Sequence, residues 1–242
     1  MNKFLSLVKR NLLEIVRDPL SLVFCVCFPL VMLVLMQVIM GQFEATPPNF
    51  EISNYSIGMC VFGYTFVALF VANLIAGDKN TEFYNRLKLA PMSAFLRVLG
   101  YVVAVLPIML VQTVLFLLLS LFFGLPFGVS FLLAIVYLFP SALFYVLCGV
   151  LIGYLVQNER QAGPVASILV SATGIFAGIF MPITQMGTFS DIMNCLPFVH
   201  TVSIASGVFS GDYACILNNI GWVFGYSMLI LLLIYLFCRK KS

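Results

Sequence analysis

Between Arg97 and Glu159 the chain runs for 61 residues, 98–158, without one Asp, Glu, Lys or Arg. A spanning helix takes about 20 mostly apolar residues, so this run holds two of them. They are divided at Gly124-Leu125-Pro126-Phe127-Gly128, where glycine and proline interrupt helical structure. In lipid every backbone polar group must be satisfied within the protein, which leaves helices or a closed barrel. The apolar runs are continuous rather than alternating over ten residues, and this excludes the barrel. Composition agrees: 62% hydrophobic and 9% charged, against about 45–50% and about 25% in soluble domains. A soluble enzyme, a disordered chain and a nucleic-acid binder are all excluded on these terms.

The other uncharged runs complete an all-α integral membrane protein, one transmembrane domain over 1–242. Spans are expected at 20–40, 55–76, 98–123, 130–156, 162–182 and 214–237. The run 192–211 is not read as a seventh. Asn194 and Pro197 near its front leave 198–209, about 18 Å of helix and half a bilayer. Residues 183–212 are instead expected as short outer re-entrant helices between spans five and six.

Six spans sort the charges completely. Lys3, Lys9, Arg10, Arg17, Lys79, Arg86, Lys88, Arg97, Arg160, Arg239, Lys240 and Lys241 fall on one side, and these are all 12 positive residues. The other side holds Glu44, Glu51, Asp191 and Asp212. Positive charge stays inside, so both termini are expected in the cytoplasm of a multi-pass plasma (inner) membrane protein. The net charge of +3 is a topology signal, not a sign of acidic ligands.

Residues 1–18 read as an amphipathic helix lying in the interface, with Leu5, Val8, Leu12, Ile15 and Val16 at helical spacing and Lys3, Lys9, Arg10, Glu14 and Arg17 between them. Arg17-Asp18-Pro19 is an elbow: proline stops the first helix, and Asp18 with Pro19 starts the next. On the same side, 80–89 is a short helix closed by Ala90-Pro91, capped by Thr81, with Glu82 early and Arg86 and Lys88 late. Its Phe83, Tyr84 and Leu87 suit either a docking surface for another protein or anchoring at the headgroup level.

Absences narrow the chemistry. No charged residue lies inside an expected span, which argues against ion-coupled transport. There is no HExxH, no pair of carboxylates on a helix face and one histidine, His200, read as a local polar contact in the outer segment. Gly77-Asp78-Lys79 lacks the geometry of a phosphate loop, so this chain cannot hold ATP itself. No catalytic, cofactor or metal residue is expected. Cys25, Cys27, Cys60, Cys148 and Cys238 read as small apolar residues, whereas Cys195 and Cys215 near the outer face could pair. Gln37, Asn73, Gln112 and Thr113 read as interhelical hydrogen-bond partners, and Pro29, Pro107 and Pro140 as kinks.

The order of parts is specific: the elbow Arg17-Asp18-Pro19, a first span with Pro29, the loop from Thr81-Glu82-Phe83-Tyr84 to Ala90-Pro91-Met92-Ser93, then Gly178-Ile179-Phe180-Met181-Pro182 and Leu196-Pro197. The chain resembles, essentially end to end, the permease of ABC type-2 transporters, although Asp78-Lys79-Asn80-Thr81 stands where that family tends to carry a more acidic run ending in Gly-Thr. The resemblance implies that 80–89 is a coupling helix in a cleft of a separate ATP-binding subunit. Contacts are then expected from Thr81, Glu82, Phe83, Tyr84, Arg86 and Leu87, with Lys9 and Arg10 of the connecting helix 1–18. It also implies two copies of that subunit holding ATP and Mg, a second permease, identical or homologous, and an outer gate at Pro182, Leu196 and Pro197.

The expected function is outward movement of a hydrophobic or amphipathic substrate, such as a drug, lipid or peptide, since 24 Phe and 11 Met give any path an apolar wall. Membrane lipids are the other expected partner, and a small bacterial transporter the expected setting. An energy-independent channel or transporter, or a non-transporting scaffold or immunity protein, would share the topology but need no coupling helix.

Overall fold

The computed structural model describes residues 3–43, 47–90, 92–181, 187 and 189–240. Among them every regular element is helical: α1 (Lys3–Arg17), α2 (Pro19–Met40), a 3₁₀ turn at Pro48–Phe50, α3 (Ile52–Asp78), α4 (Glu82–Leu89) and α5 (Ala94–Leu121), followed by α6 (Val129–Leu155), α7 (Glu159–Phe176), α8 (Phe189–Cys195), α9 (Pro197–Ser210) and α10 (Tyr213–Lys240). This is the all-α membrane architecture expected from the sequence. The expectations placed on Glu44, Pro91, Pro182 and Lys241 lie outside the described residues.

Helix ends follow local chemistry. At the elbow, the Asp18 carbonyl accepts from the Leu22 amide at 3.2 Å, and Pro19 needs no partner for an N–H it lacks. The side chains of Ser93 and Asn158 accept from the Leu96 and Gln161 amides, both at 3.2 Å, and so start α5 and α7. Helix α9 opens on Pro197 and ends at Gly211, whose φ of 75° suits only glycine comfortably. Pro29, Pro107 and Pro140 sit inside helices that continue through them.

Helices α2, α3, α5, α6 and α10 are long and apolar enough to cross a membrane. Helix α7 has 18 residues and begins with Glu159 and Arg160. Its course is nevertheless fixed against α3. The Glu159 carboxylate lies 3.6 Å from where a Cβ on Gly77 would stand, and Ile179 lies 3.3 Å from the same position on Gly58. Those glycines are about 28 Å apart along a helix, so α7 and the segment after it run nearly the length of α3. The helix stops at Phe176 rather than continuing to 182, because the chain turns through Gly178 with φ of 74°. Helices α8 and α9 follow, bent by 79°.

Helix α3 is the centre. Its buried residues occupy all sides from Tyr55 to Asp78, and α2, α5, α6, α7 and α9 pack around it. Lipid supplies no hydrophobic drive between helices, so close backbone approach by small residues matters more. Gly149 and Gly153 of α6 provide it. A Cβ on Gly149 would fall 2.4 Å from the Ala68 carbonyl oxygen, and one on Gly153 would fall 3.1 Å from that of Ala72.

Polar bonds then tie α9 into the bundle. The Ser141 hydroxyl donates to the Thr201 carbonyl at 2.9 Å, and Tyr145 Oη reaches Thr173 at 3.2 Å and Thr201 at 3.4 Å. Gln37 binds the Phe50 carbonyl at 3.0 Å, and Thr113 pairs with Tyr64. Gln112 departs from its expected role: pressed against Gly63, its amide finds no hydrogen-bond partner among the described residues.

Candidate functional site

Helix α1 packs across α5 at the end of the bundle where α3 stops. It buries Leu7, Asn11 and Ile15, while Leu5 and Val16 of the expected apolar stripe are 57% and 56% exposed. The reason is Gly100, which leaves room for Leu7: a Cβ there would stand 2.7 Å from Leu7 Cδ2. One flank of α1 therefore seats on the bundle and the adjoining apolar flank faces outward. The seat rotates Arg10 inward, towards Asp78 at the last turn of α3.

Asp78 is 4% exposed and fully engaged. Arg10 donates from Nη1 to Oδ2 at 2.7 Å and from Nη2 to Oδ1 at 2.9 Å, and Tyr101 of α5 donates to Oδ2 at 2.5 Å. Arg10 also pairs with Glu14 at 2.7 Å and lies over the Phe83 ring of α4, 3.9 Å from its centroid. One guanidinium thus joins α1, α3 and α4, and its carboxylate partner adds α5. A planar fork is suited to this double duty. Burial opposes the Arg10 cation, but the hydrogen bond and charge of Asp78 outweigh it and hold Arg10 above its ordinary pKa. Burial, aided by the Asp78 charge and opposed by Arg10, pushes the Glu14 carboxyl up.

Two further cations fasten helix ends nearby. Lys79 Nζ donates to the carbonyls of Gly153, Tyr154 and Val156 at 2.6, 2.8 and 2.6 Å, closing the C-terminus of α6. Arg97 Nη1 donates to the Leu87 carbonyl at 2.9 Å and closes α4 from α5. The start of α4 is the expected cap, with Thr81 Oγ1 accepting from the Tyr84 amide at 3.3 Å and donating to the Asp78 carbonyl at 2.6 Å. The last turn of α3 and the first of α4 are consequently one piece.

The structure divides the residues assigned to partner contact. On α4, Leu87 is buried and Phe83 and Tyr84 are half-buried, whereas Thr81, Glu82, Asn85, Arg86 and Leu89 are exposed. Glu82, Asn85, Arg86 and Leu89 form one outward stripe at helical spacing, with Leu89 87% exposed and Glu82 paired to Arg86 at 3.3 Å. Lys9 is exposed, and Arg10 is built into the junction. At the elbow Arg17 and Pro19 are exposed and Asp18 half-buried. At the far end, Leu196 precedes α9 and Pro197 is buried in its first turn. Cys195 and Cys215 are free thiols.

Sequence reasoning passed over Asp78, Tyr101, Asn85 and Leu89. Asp78 was legible in part, since it continues the spacing of Val71 and Ile75, both fully buried, at three- and four-residue steps. Beside it, a cavity of about 600 Å³ opens between the start of α2, α3 and the start of α7, walled by Phe24, Phe66 and Phe70 and edged by Asn73, Glu14 and Asp78. Among the described residues no group of His, Cys, Asp and Glu is placed to hold a metal ion.

Helix α1 is thus joined by one ion pair to the central helix α3, and by one aromatic contact to α4, a short helix with an outward face. Comparison with protein families matches residues 2–210 to the family described as ABC-2 type transporter. No curated protein matches the chain. The match spans α1 to α9 and so includes the junction, α4 and the crossing helices between them, and the chain accordingly belongs to the ABC-2 type transporter family as a membrane-spanning permease.

Proposed function

We propose that the chain is the permease of an ABC exporter, moving a hydrophobic or amphipathic substrate outward with ATP and Mg held by a separate subunit present in two copies. The observation that carries this reading is the outward stripe Glu82, Asn85, Arg86 and Leu89 on a helix rooted at the Arg10–Asp78 junction. The ATP-binding subunit sits on that stripe with Lys9 beside it. Closure of its dimer pushes α4, and the push reaches α3 through Asp78, α1 through Arg10 and α5 through Tyr101 and Arg97. A second permease, identical or homologous, covers the apolar face of α2, where Val23, Phe24, Val31, Leu35 and Val38 are each at least half exposed.

The cavity of about 600 Å³ supports entry from the side of α4, with aromatic walls suited to an apolar body. Leu196-Pro197 at the opposite end serves as part of the gate, and both termini lie in the cytoplasm. The test is uncoupling. Replacing Glu82 and Arg86, or breaking α4 with Tyr84→Pro, should leave ATP hydrolysis by the partner running while export stops. Export that survives these changes would return the chain to the energy-independent channel or transporter.

A further inference from the structure

At the end of the bundle away from α4, His200 of α9 is 7% exposed and stands between α8 and α10. Its Nε2 is 2.9 Å from the Asn194 carbonyl, and its Nδ1 is 2.6 Å from Asn219 Oδ1. The orientation of the Asn219 amide is set independently, because its Nδ2 donates to the Cys215 carbonyl at 2.8 Å and to Cys215 Sγ at 3.1 Å. A flipped amide would set oxygen against that carbonyl. Both ring nitrogens of His200 therefore face acceptors. A neutral imidazole has one N–H and would leave one contact with lone pairs opposed, whereas the imidazolium donates to both. The ring also lies parallel to Trp222, interplanar angle 2° and centroids 5.2 Å apart, within reach of a cation–π attraction.

The ionisable neighbours do not replace this arrangement. Asp191 and Cys195 lie on α8, and Cys215, Tyr213 and Tyr226 on α10, with Asp212 at its start. Tyr226 donates to the Cys195 carbonyl at 2.6 Å and Asp212 accepts from the Cys215 amide at 3.0 Å. Tyr145 of α6 is bonded to Thr173 and Thr201, Tyr55 lies on α3, and the charges of α7 are at its opposite end. No carboxylate among the described residues forms an ion pair with the ring.

We propose that His200 is a proton-operated latch holding α8 and α9 against α10. When protonated it ties the Asn194 carbonyl and Asn219 together across the 79° bend of the helix pair. When neutral it loses one of the two bonds, and the hold on α8, which Tyr226 shares through the Cys195 carbonyl, is weakened. The inference stands on this junction alone and does not depend on what the protein moves.

His200 is the only histidine and Trp222 the only tryptophan of the chain, so the latch carries its own reporter. The full chain, purified in lipid nanodiscs, would be followed by tryptophan emission, which an imidazolium stacked on the indole quenches more than a neutral ring. The expected result is one rise in emission as the pH is raised, absent in His200→Gln. Above the rise, acrylamide, an uncharged quencher, should reach Trp222 more readily. Asn219→Asp should move the rise to higher pH and Asn219→Leu to lower pH, which keeps the test available if His200→Gln does not fold. A flat profile, a rise that persists in His200→Gln, no movement in the Asn219 variants, or unchanged acrylamide access would each overturn the proposal.

Discussion

Arg10 and Asp78, separated by 68 positions in the chain, meet through two parallel hydrogen bonds of 2.7 and 2.9 Å in a site where the carboxylate is 4% exposed. This pair sets where α1 lies relative to the end of α3. Because Phe83 sits under the same guanidinium, it also sets where α4 lies.

Removing Arg10 leaves the buried Asp78 carboxylate without its counter-charge, at a cost of about 3 kcal/mol or more. Arg10→Met should accordingly lower the melting temperature of the purified protein markedly. An Arg10→Met, Asp78→Leu double variant should lose less than Arg10→Met, since an apolar pair of similar size removes that buried charge. Thermal melts of the double variant beside Arg10→Met and Asp78→Leu alone, with strictly additive losses, would show that the two residues are not coupled.

The two leucines of α4 should separate folding from docking. Leu87 is 8% exposed and Leu89 87% exposed. Leu87→Asp buries an unpaired carboxylate and should prevent recovery of folded protein. Leu89→Asp should leave the melting temperature within about 0.5 kcal/mol equivalent of the parent and reduce capture of the ATP-binding subunit, as measured by co-purification.

Close approach of α3 and α6 makes Gly149 intolerant. Gly149→Leu places atoms where the Ala68 carbonyl already stands and should cost about 3 kcal/mol, seen as loss of monodisperse protein in size-exclusion chromatography. Gly128→Ala is the control: nothing lies within 4 Å of its Cβ position, and its φ of −175° suits any residue.

The raised Glu14 pKa has a defined sign. Burial and the Asp78 charge favour its protonated form, so the stability it contributes is present below its ordinary value, about pH 4, and is lost as pH rises through the raised folded value. Glu14→Gln should flatten the stability profile from about pH 4 upward to neutrality. A steeper profile, measured by thermal melts across that range, would contradict the assignment.

Pro19 and Thr81 were legible as helix starts because a missing N–H and a side-chain cap depend on neighbours in sequence. The caps of Ser93 and Asn158 and the start of α9 at Pro197 were passed over, although they rest on the same local chemistry. The junction was not legible in the same way. Arg10 looked like one cation on a polar face and Asp78 like the first residue of a loop, and only the seating of Leu7 against Gly100 brings them together. The exposed side of α4 was obscured similarly, since Phe83 and Leu87 suggest a docking surface until Arg10 and the bundle occupy them. His200 read as a local contact because its partners, Asn194 and Asn219, belong to helices whose bend the sequence does not specify.

In the proposed function the outward stripe of α4 is the seat of the ATP-binding subunit. Its most direct test is photo-cross-linking in native membranes from a probe replacing Leu89, with a probe replacing Leu217, 74% exposed on α10, as the comparison. A cross-link is expected from position 89 to an ATP-binding subunit and none from position 217. No cross-link at 89, or equal yields at the two positions, would contradict it.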